Sequence, residues 1–480
     1  MEKDTKSLLI QMFENWAGEQ ARSFITLPPS GSYREYYRIF GRSKSAIGAY
    51  NADKKENIAF LEFSRHFKNR ELAVPEIYAH DHANCIYLQQ DLGDTTLYAF
   101  LQGLRKGSEF PPELIDFYKK TLDELLRFQI NGGDGLDYNK CYPRQAFDRQ
   151  SMLWDLHYFK YYFLKLARVP FDEQSLEDDF HVLIDFLLEA EQSFFLYRDF
   201  QSRNVMVVDD APWFIDYQGG RKGALHYDVA SLLYDSKADI PEEVRKELLT
   251  YYVDALDRRR TTNKQKFVDQ FYGYVLIRMM QAMGAYGFRG FYEKKEHFLK
   301  SIPYAINNLK YLLDNVRFPV QMPTLFAALN NIVESEELKN IGKEASMLTV
   351  SITSFSYKRG IPVDVSGNGG GFVFDCRAVH NPGRYAEYQD KTGKDPEVIA
   401  FFGQEPEMAK FLKGVFALVE QSVEKYISRG FKHLMVNFGC TGGQHRSVFS
   451  AEQLAAHLLQ RYKVKTVVRH VEQEMKKTGK

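Results

Sequence analysis

Apolar and polar positions follow two rhythms along this chain, and the places where the rhythm changes divide it. Over residues 1–20, Leu8, Leu9, Met12, Phe13 and Trp16 recur at helical spacing and predict an amphipathic helix. From 25 to 95, short apolar runs are separated by Gly, Ser, Asn and Asp. Ser45 to Tyr50 and Ile86 to Gln90 predict strands, and Glu56 to Lys68 between them predicts a helix. A small sheet with one helix is the expectation for this small lobe. Helical patterns dominate from 96 to 330. Leu114, Phe117, Tyr118, Leu122 and Leu125 recur at three and four, as do Phe180, Ile184, Leu187 and Leu188. The pattern weakens between 316 and 347, where Pro319 and Pro323 interrupt it and 334–340 is polar, so a linker is predicted over 331–347. Strands return from 348, at Leu348 to Phe355, Phe372 to Cys376, Leu434 to Cys440 and Thr466 to Val471, with a helix from Val448 to Leu459. That alternation predicts a small α/β domain over 348–480.

Length agrees with more than one core, because 480 residues exceed what a single core organises. Lys+Arg and Asp+Glu balance at 63 each, so no global field draws the chain to nucleic acid, and RNA or DNA binding would need a local basic patch. Cys85, Cys141, Cys376 and Cys440 are far apart and form no CxxC pair, which argues against a zinc site or a disulfide scaffold. The N-terminus lacks the layout of a signal peptide, and no apolar stretch of about 18 residues is present to span a membrane. A cytoplasmic protein is expected.

The most informative chemistry lies between 194 and 218. Asp199 stands five residues before Asn204 in a loop between apolar segments, and Asp216 follows one short hairpin later behind Trp213-Phe214-Ile215. Phosphotransferases of the protein-kinase type use this layout. The γ-phosphoryl transition state gains most from positioning and from cations. Asp199 is placed to orient the attacking hydroxyl and accept its proton. Asn204 and Asp216 supply oxygen ligands suited to Mg2+. Arg198 is expected to pair with a carboxylate or pack the loop, and Arg203 to neutralise phosphate. A lone Asp or Asn usually reads as a solvated turn residue. Here a small sheet, a helical region and a hairpin arrive in order around the three, which favours ATP chemistry.

Nucleotide contacts are less distinct. Ser30-Gly31-Ser32 offers backbone N–H groups and two hydroxyls to phosphates, although an ordinary hairpin turn explains one glycine nearly as well. Gln90 and Leu92, between a strand and the helices, fit a hinge that meets adenine. Tyr227 to Leu233 reads as a helix start with Asp228 near its cap, a structural feature. Trp154, Asp155, Tyr158 and Phe159 form an aromatic-rich stripe that reads as core before it reads as a sugar platform.

A second site stands at Gly439-Cys440-Thr441-Gly442-Gly443-Gln444-His445-Arg446-Ser447, where a strand meets a helix. Glycines expose N–H groups at a helix N-terminus, and His445 and Arg446 add positive charge, so an anion cradle is predicted. Cys440 and Arg446 also have the Cys-x5-Arg-Ser spacing of tyrosine phosphatases, with the thiolate as nucleophile.

Two resemblances accompany these readings. Arg198-Asp199, Ser202-Arg203-Asn204, Ile215-Asp216-Tyr217-Gln218, Tyr227 to Leu233 and Asp91-Leu92-Gly93-Asp94 resemble the aminoglycoside phosphotransferase family, most nearly its AmgK-type cell-wall sugar kinases, over about residues 5–330. The resemblance implies an ATP- and Mg2+-dependent kinase acting on N-acetylmuramate or N-acetylglucosamine. Tyr197 departs from the family's usual His, and Ser45 to Tyr50 carries no lysine for the α- and β-phosphates. Lys54 and Lys55 lie just beyond. Residues 348–475 resemble the C-terminal domain of RapZ, from Leu348-Thr349-Val350 through Phe374-Asp375-Cys376-Arg377 and Asn381-Pro382 to Gly439–Ser447. That resemblance implies a sugar-phosphate pocket lined by Asp375, Arg377, His380, Cys440, Thr441, Gly442, Gly443, His445, Arg446 and Ser447, and RNA as a further partner. The kinase-like half common to RapZ proteins is absent, since no GxxxxGK[ST] occurs. The expected fold class is α+β: a two-lobed protein-kinase-like fold followed by a small α/β domain. A non-catalytic RNA- or metabolite-binding adapter is the alternative to a kinase.

Overall fold

A computed structural model describes residues 2–28, 34–105, 107, 109–344, 347–364, 370–429 and 431–478. The chain forms two compact units, Met1–Ile341 and Gly342–Lys480.

The first unit opens with helix α1 (Glu2–Ala17) and strands β1 (Ser23–Thr26), β2 (Glu35–Phe40) and β3 (Ser45–Tyr50). Helix α2 (Lys54–Asn69) and strands β4 (Ile77–Asp81) and β5 (Ile86–Gln89) complete the small lobe. The strands form one five-stranded antiparallel sheet in the order β1-β2-β3-β5-β4. Alternation along the strands serves both faces. Ile86 and Leu88 join Leu9 and Phe13 of α1, whereas Tyr87 points the other way and packs with Phe60 and Phe63 of α2. Asp53 caps α2, accepting the N–H groups of Lys55 and Glu56.

The helical lobe runs through α3 (Leu97–Leu104), α4 (Pro112–Arg127), α5 (Arg149–Phe159) and α6 (Glu173–Leu188). Short strands follow: β6 (Phe194–Leu196), β7 (Val205–Val208), β8 (Ala211–Phe214) and β9 (Arg221–Gly223). Then come α7 (His226–Leu233), α8 (Glu242–Arg259), α9 (Lys264–Tyr286), α10 (Glu296–Leu299) and α11 (Ile302–Asn315). β6 pairs with β9, and β7 with β8 as a hairpin. Helix α9 is apolar on most sides because it runs through the middle of the lobe, against α5, α6, α7 and α11.

The stretch predicted as a linker is largely helical. Helices α12 (Pro323–Glu334) and α13 (Glu336–Glu344) occupy it, with Leu325, Leu329, Ile332 and Leu338 buried in the first unit's core. Asp179 of α6 caps α12 by accepting the Leu325 N–H at 2.8 Å. The prolines that interrupt the periodicity include Pro323, which stands at N1, where its missing N–H has no helical partner to lose.

The second unit contains β10 (Leu348–Ser356), β11 (Phe372–Asp375), α14 (Pro396–Gln404), α15 (Pro406–Ser428), β12 (His433–Cys440), α16 (Arg446–Arg461), β13 (Val464–His470) and α17 (Val471–Thr478). Its sheet is parallel, in the order β11-β12-β10-β13. Val415, Val419 and Val423 of α15 and Ala451, Leu454 and Leu458 of α16 repeat at helical spacing and bury against it. In such sheets ligands meet the carboxyl ends of the strands, and β12 ends at Cys440. No helix among the described residues is long and apolar enough to cross a membrane.

Candidate functional site

Strand β6 delivers Tyr197, Arg198 and Asp199 into a loop whose backbone is held from below. Asp228, fully buried in the first turn of α7, accepts the N–H of Tyr197 at 2.7 Å and that of Arg198 at 3.0 Å. Gln129 donates to the same carboxylate and to the Leu225 carbonyl. Burial pushes Asp228 up to about 7, against the pull of the two N–H groups. It is therefore an anchor of the loop and does more than cap a helix. Arg198 sits at φ 83°, a strained value for a side chain with a Cβ. Its guanidinium clasps Asp155 with two bonds of 2.7 and 2.6 Å and meets the Tyr227 hydroxyl at 2.7 Å. Asp155 is thus a loop anchor, and Phe159 is core, whereas Trp154 is exposed.

Asn204 ends a short 3-10 turn, Ser202–Asn204, and draws the loop and the hairpin together. Its amide Nδ2 donates to the Asp199 carbonyl at 2.8 Å and to the Asp216 carboxylate at 3.1 Å. Asp216 stands at φ 70°, directly after the β7–β8 hairpin, and Gln218 donates to its other oxygen at 2.8 Å. Burial first, and the Asp199 charge second, raise the Asp216 pKa above its ordinary value. Tyr197, at the position where the resembling family has His, is fully buried and donates to the Ile215 carbonyl at 2.5 Å, so it ties the loop to the residue before Asp216. Asp235 accepts the Ser202 N–H and hydroxyl. Arg203 is exposed. The Asp199 charge is near enough to act on Asp216, and two carboxylates and an amide are hard oxygen donors; magnesium needs only one or two protein carboxylates beside phosphates and water.

On the nucleotide side, Ser30, Gly31 and Ser32 lie outside the described residues. The Gln90 N–H is bonded to the Glu76 carbonyl at 2.8 Å. The segment around Leu92 is clamped by Arg38 of β2, which reaches Asp91 at 2.9 Å, Asp94 at 2.8 Å and the Gly93 carbonyl at 3.0 Å.

In the second unit, Cys440 closes β12 and the turn to α16 folds over its sulfur. The Gly443 N–H reaches Sγ at 3.1 Å, and the Ser447 hydroxyl lies at 3.2 Å. Thr441 and Gly442 are exposed at the tip. Ser356 of β10 donates to the Thr441 carbonyl at 2.7 Å. Four of the expected positive groups are engaged elsewhere. Arg446 is buried and donates to the Arg377 and Val379 carbonyls, both at 3.0 Å. Nε2 of His445 lies 2.8 Å from the Tyr388 carbonyl. Arg377 forks onto Asp375 and lies over the Tyr357 ring. His380 pairs with Glu405. A phosphatase needs an accessible thiolate and an arginine turned to the phosphate. Cys440 is 2% exposed and Arg446 faces backbone carbonyls, so these residues do not assemble that chemistry. Gly443 stands at φ 64°, and a Cβ there would lie 2.9 Å from the Ser356 nitrogen. Gly443→Ala is therefore expected to cost about 1–3 kcal/mol, read as a lower melting temperature. An unchanged melting temperature would show that the turn relaxes freely.

Sequence reasoning passed over the anchoring roles of Asp155, Asp228, Asp235 and Gln129. A carboxylate inside an apolar helix start, as in Tyr227 to Leu233, was the one available signal.

The small sheet, the helical lobe and the loop carrying Asp199 and Asn204 have the fold of the kinase-like phosphotransferases. Residues 47–261 match the phosphotransferase enzyme family, and residues 348–474 match the RapZ C-terminal domain. The chain thus joins a domain of the first family to a domain of the second. Among curated proteins, a nucleotide-binding protein of Methylococcus capsulatus is 33% identical over 171 residues, 35% of this chain and 56% of its own. One of Nitrosomonas europaea is 41% identical over 115 residues, 24% of this chain and 38% of its own. The chain spans about half or less of the length of these relatives. Among solved structures, a choline/ethanolamine kinase family protein from Mesorhizobium loti covers 70% of this chain and 100% of its own, at 12% identity and TM-score 0.45. A putative aminoglycoside phosphotransferase from Ralstonia eutropha covers 70% and 97%, at 11% identity and TM-score 0.38.

Proposed function

We propose that the first unit is an ATP- and Mg2+-dependent cytoplasmic kinase that phosphorylates a hydroxyl of a small amino sugar of the N-acetylmuramate or N-acetylglucosamine kind. The second unit then binds a phosphate or sugar phosphate and has a regulatory role. The observation that carries the reading is Asn204, which spans Asp199 and Asp216 on a loop fixed by Asp228. In this reading Asp199 orients the sugar hydroxyl and takes its proton. Asn204, through its amide oxygen, and Asp216 would hold magnesium, which would supply positive charge to the phosphate oxygens. Arg198 keeps the loop in shape through Asp155, and exposed Arg203 meets phosphate. With the Gln90 N–H occupied, adenine contacts fall to the Gln90 carbonyl and the Leu92 backbone. Ser30, Gly31 and Ser32 keep their proposed place over the phosphates.

ATP consumption with N-acetylmuramate, N-acetylglucosamine and glucosamine tests the reading. Turnover with at least one of them is expected, with the product phosphorylated on oxygen by phosphorus NMR. Silence across a broad sugar panel would remove it. For the second unit, titration calorimetry with glucosamine 6-phosphate is expected to show binding at the exposed Thr441-Gly442 tip.

A further inference from the structure

In protein kinases, a strand lysine paired with a helix glutamate must be in place for the nucleotide to be held correctly. Here β3 has no lysine, and Lys54 and Lys55 open α2. Lys54 lines a small cavity with Asp81, His82 and Cys85. The helix glutamate is nevertheless paired. Glu56 receives Arg34, which enters the lobe just before β2, at 2.9 Å. Its other oxygen accepts the Asn51 amide at 3.0 Å. The Arg34 side chain is 1% exposed, donates to the Tyr87 hydroxyl at 3.2 Å and lies 5.3 Å from the centre of the Phe60 ring.

Glu56, Phe60 and Ser64 follow one another at intervals of four along one face of α2. Phe60 stacks on Tyr217, with ring centres 5.2 Å apart and planes 13° apart. The Ser64 hydroxyl lies 2.6 Å from that of Tyr217. Tyr217 is the residue after Asp216. A continuous set of contacts therefore runs from a buried guanidinium, along one helix face, to the residue that follows Asp216.

We propose that Arg34 is a positioning residue that takes the place of the missing strand lysine: through Glu56 it sets the rotation of α2, and α2 through Phe60 and Ser64 sets Tyr217 and the carboxylate of Asp216. The inference rests on the kinase reading above and assigns it a residue outside the loop. Arginine suits the position because its planar fork serves Glu56 and the Tyr87 hydroxyl at once, which a lysine ammonium on a flexible stem does less well. Removing it leaves Glu56 without its charge partner at the base of the helix.

Arg34→Met, Arg34→Lys and Glu56→Gln test the assignment by kcat, KM for MgATP, KM for the sugar and melting temperature. Arg34→Met is expected to lower kcat/KM for MgATP about 100-fold, the scale of a displacement of roughly 1 Å at a reacting group. KM for the sugar stays within about twofold, and Arg34→Lys regains at least about tenfold. Glu56→Gln, which preserves volume, shows the same direction of loss and serves where Arg34→Met does not fold. Wild-type kcat and KM for MgATP in Glu56→Gln, or in folded Arg34→Met, would overturn the proposal. So would a fall in melting temperature as the only change. If the wild type phosphorylates no sugar, the kinase reading fails by itself, and Mg2+-dependent ADP binding by calorimetry takes over as the test. About tenfold weaker binding in Arg34→Met supports the assignment. Equal affinity, or no binding by the wild type, overturns it.

Discussion

Asp199→Ala is expected to abolish sugar phosphorylation, lowering kcat by about 10²–10⁴-fold, the range that a positioned general base contributes. The loop is held through backbone groups: the N–H groups of Tyr197 and Arg198 and the carbonyl of Asp199. The Asp199 carboxylate takes no part in those bonds, and its Oδ2 lies near Gly219, on the segment after Asp216. Truncating it therefore leaves the fold and the Asn204 contacts in place. The melting temperature and KM for MgATP should change little while turnover collapses. Steady-state kinetics beside a thermal melt separates the two effects. Turnover equal to wild type would refute the role given to this carboxylate.

Asp228→Ala carries the second large effect, on stability and activity together. It orphans the buried Tyr197 N–H, at about 1–3 kcal/mol, and the half-buried Arg198 N–H, and frees the strained Arg198 backbone. Urea unfolding is expected to show the loss, and kcat to fall with it. Asp228→Asn keeps one acceptor but turns an NH2 toward the other N–H, so it recovers only part. The two proteins also differ with pH. Burial lifts Asp228 to about 7 in the native state, above an unfolded value near 4. The native state binds this proton more tightly, so the group's contribution is fully present below about 4 and is lost as the pH rises through about 7. Asn cannot titrate, so the stability of wild type relative to Asp228→Asn should fall from about pH 4 to about pH 7 and level off above it. A pH-independent difference would mean that this carboxyl titrates at its ordinary value.

Asp199 and Asp228 differ in what the sequence makes legible. Asp199, Asn204 and Asp216 are separated by a turn and one hairpin, and strand alternation and hairpin spacing constrain such short stretches strongly. Ser45–Tyr50 matches its predicted bounds for the same reason, since its apolar pattern and flanking turns are local. The helices at 323–344 were lost because a proline at N1 and a polar outer face resemble a linker when only neighbours in sequence are considered.

What the sequence by itself determined was therefore local: the strands and most helices, and the fold class of a kinase-like unit followed by a small α/β domain. Only the tertiary structure decided how the polar groups are spent. Asp228 serves a loop 31 residues away, Asp155 one 43 away and Arg34 a helix 22 away, while Arg446 turns to a carbonyl 69 residues distant. Spacing along a chain sets which side chains share a face, but a buried charge must find its partner wherever the packed chain brings one within about 3 Å.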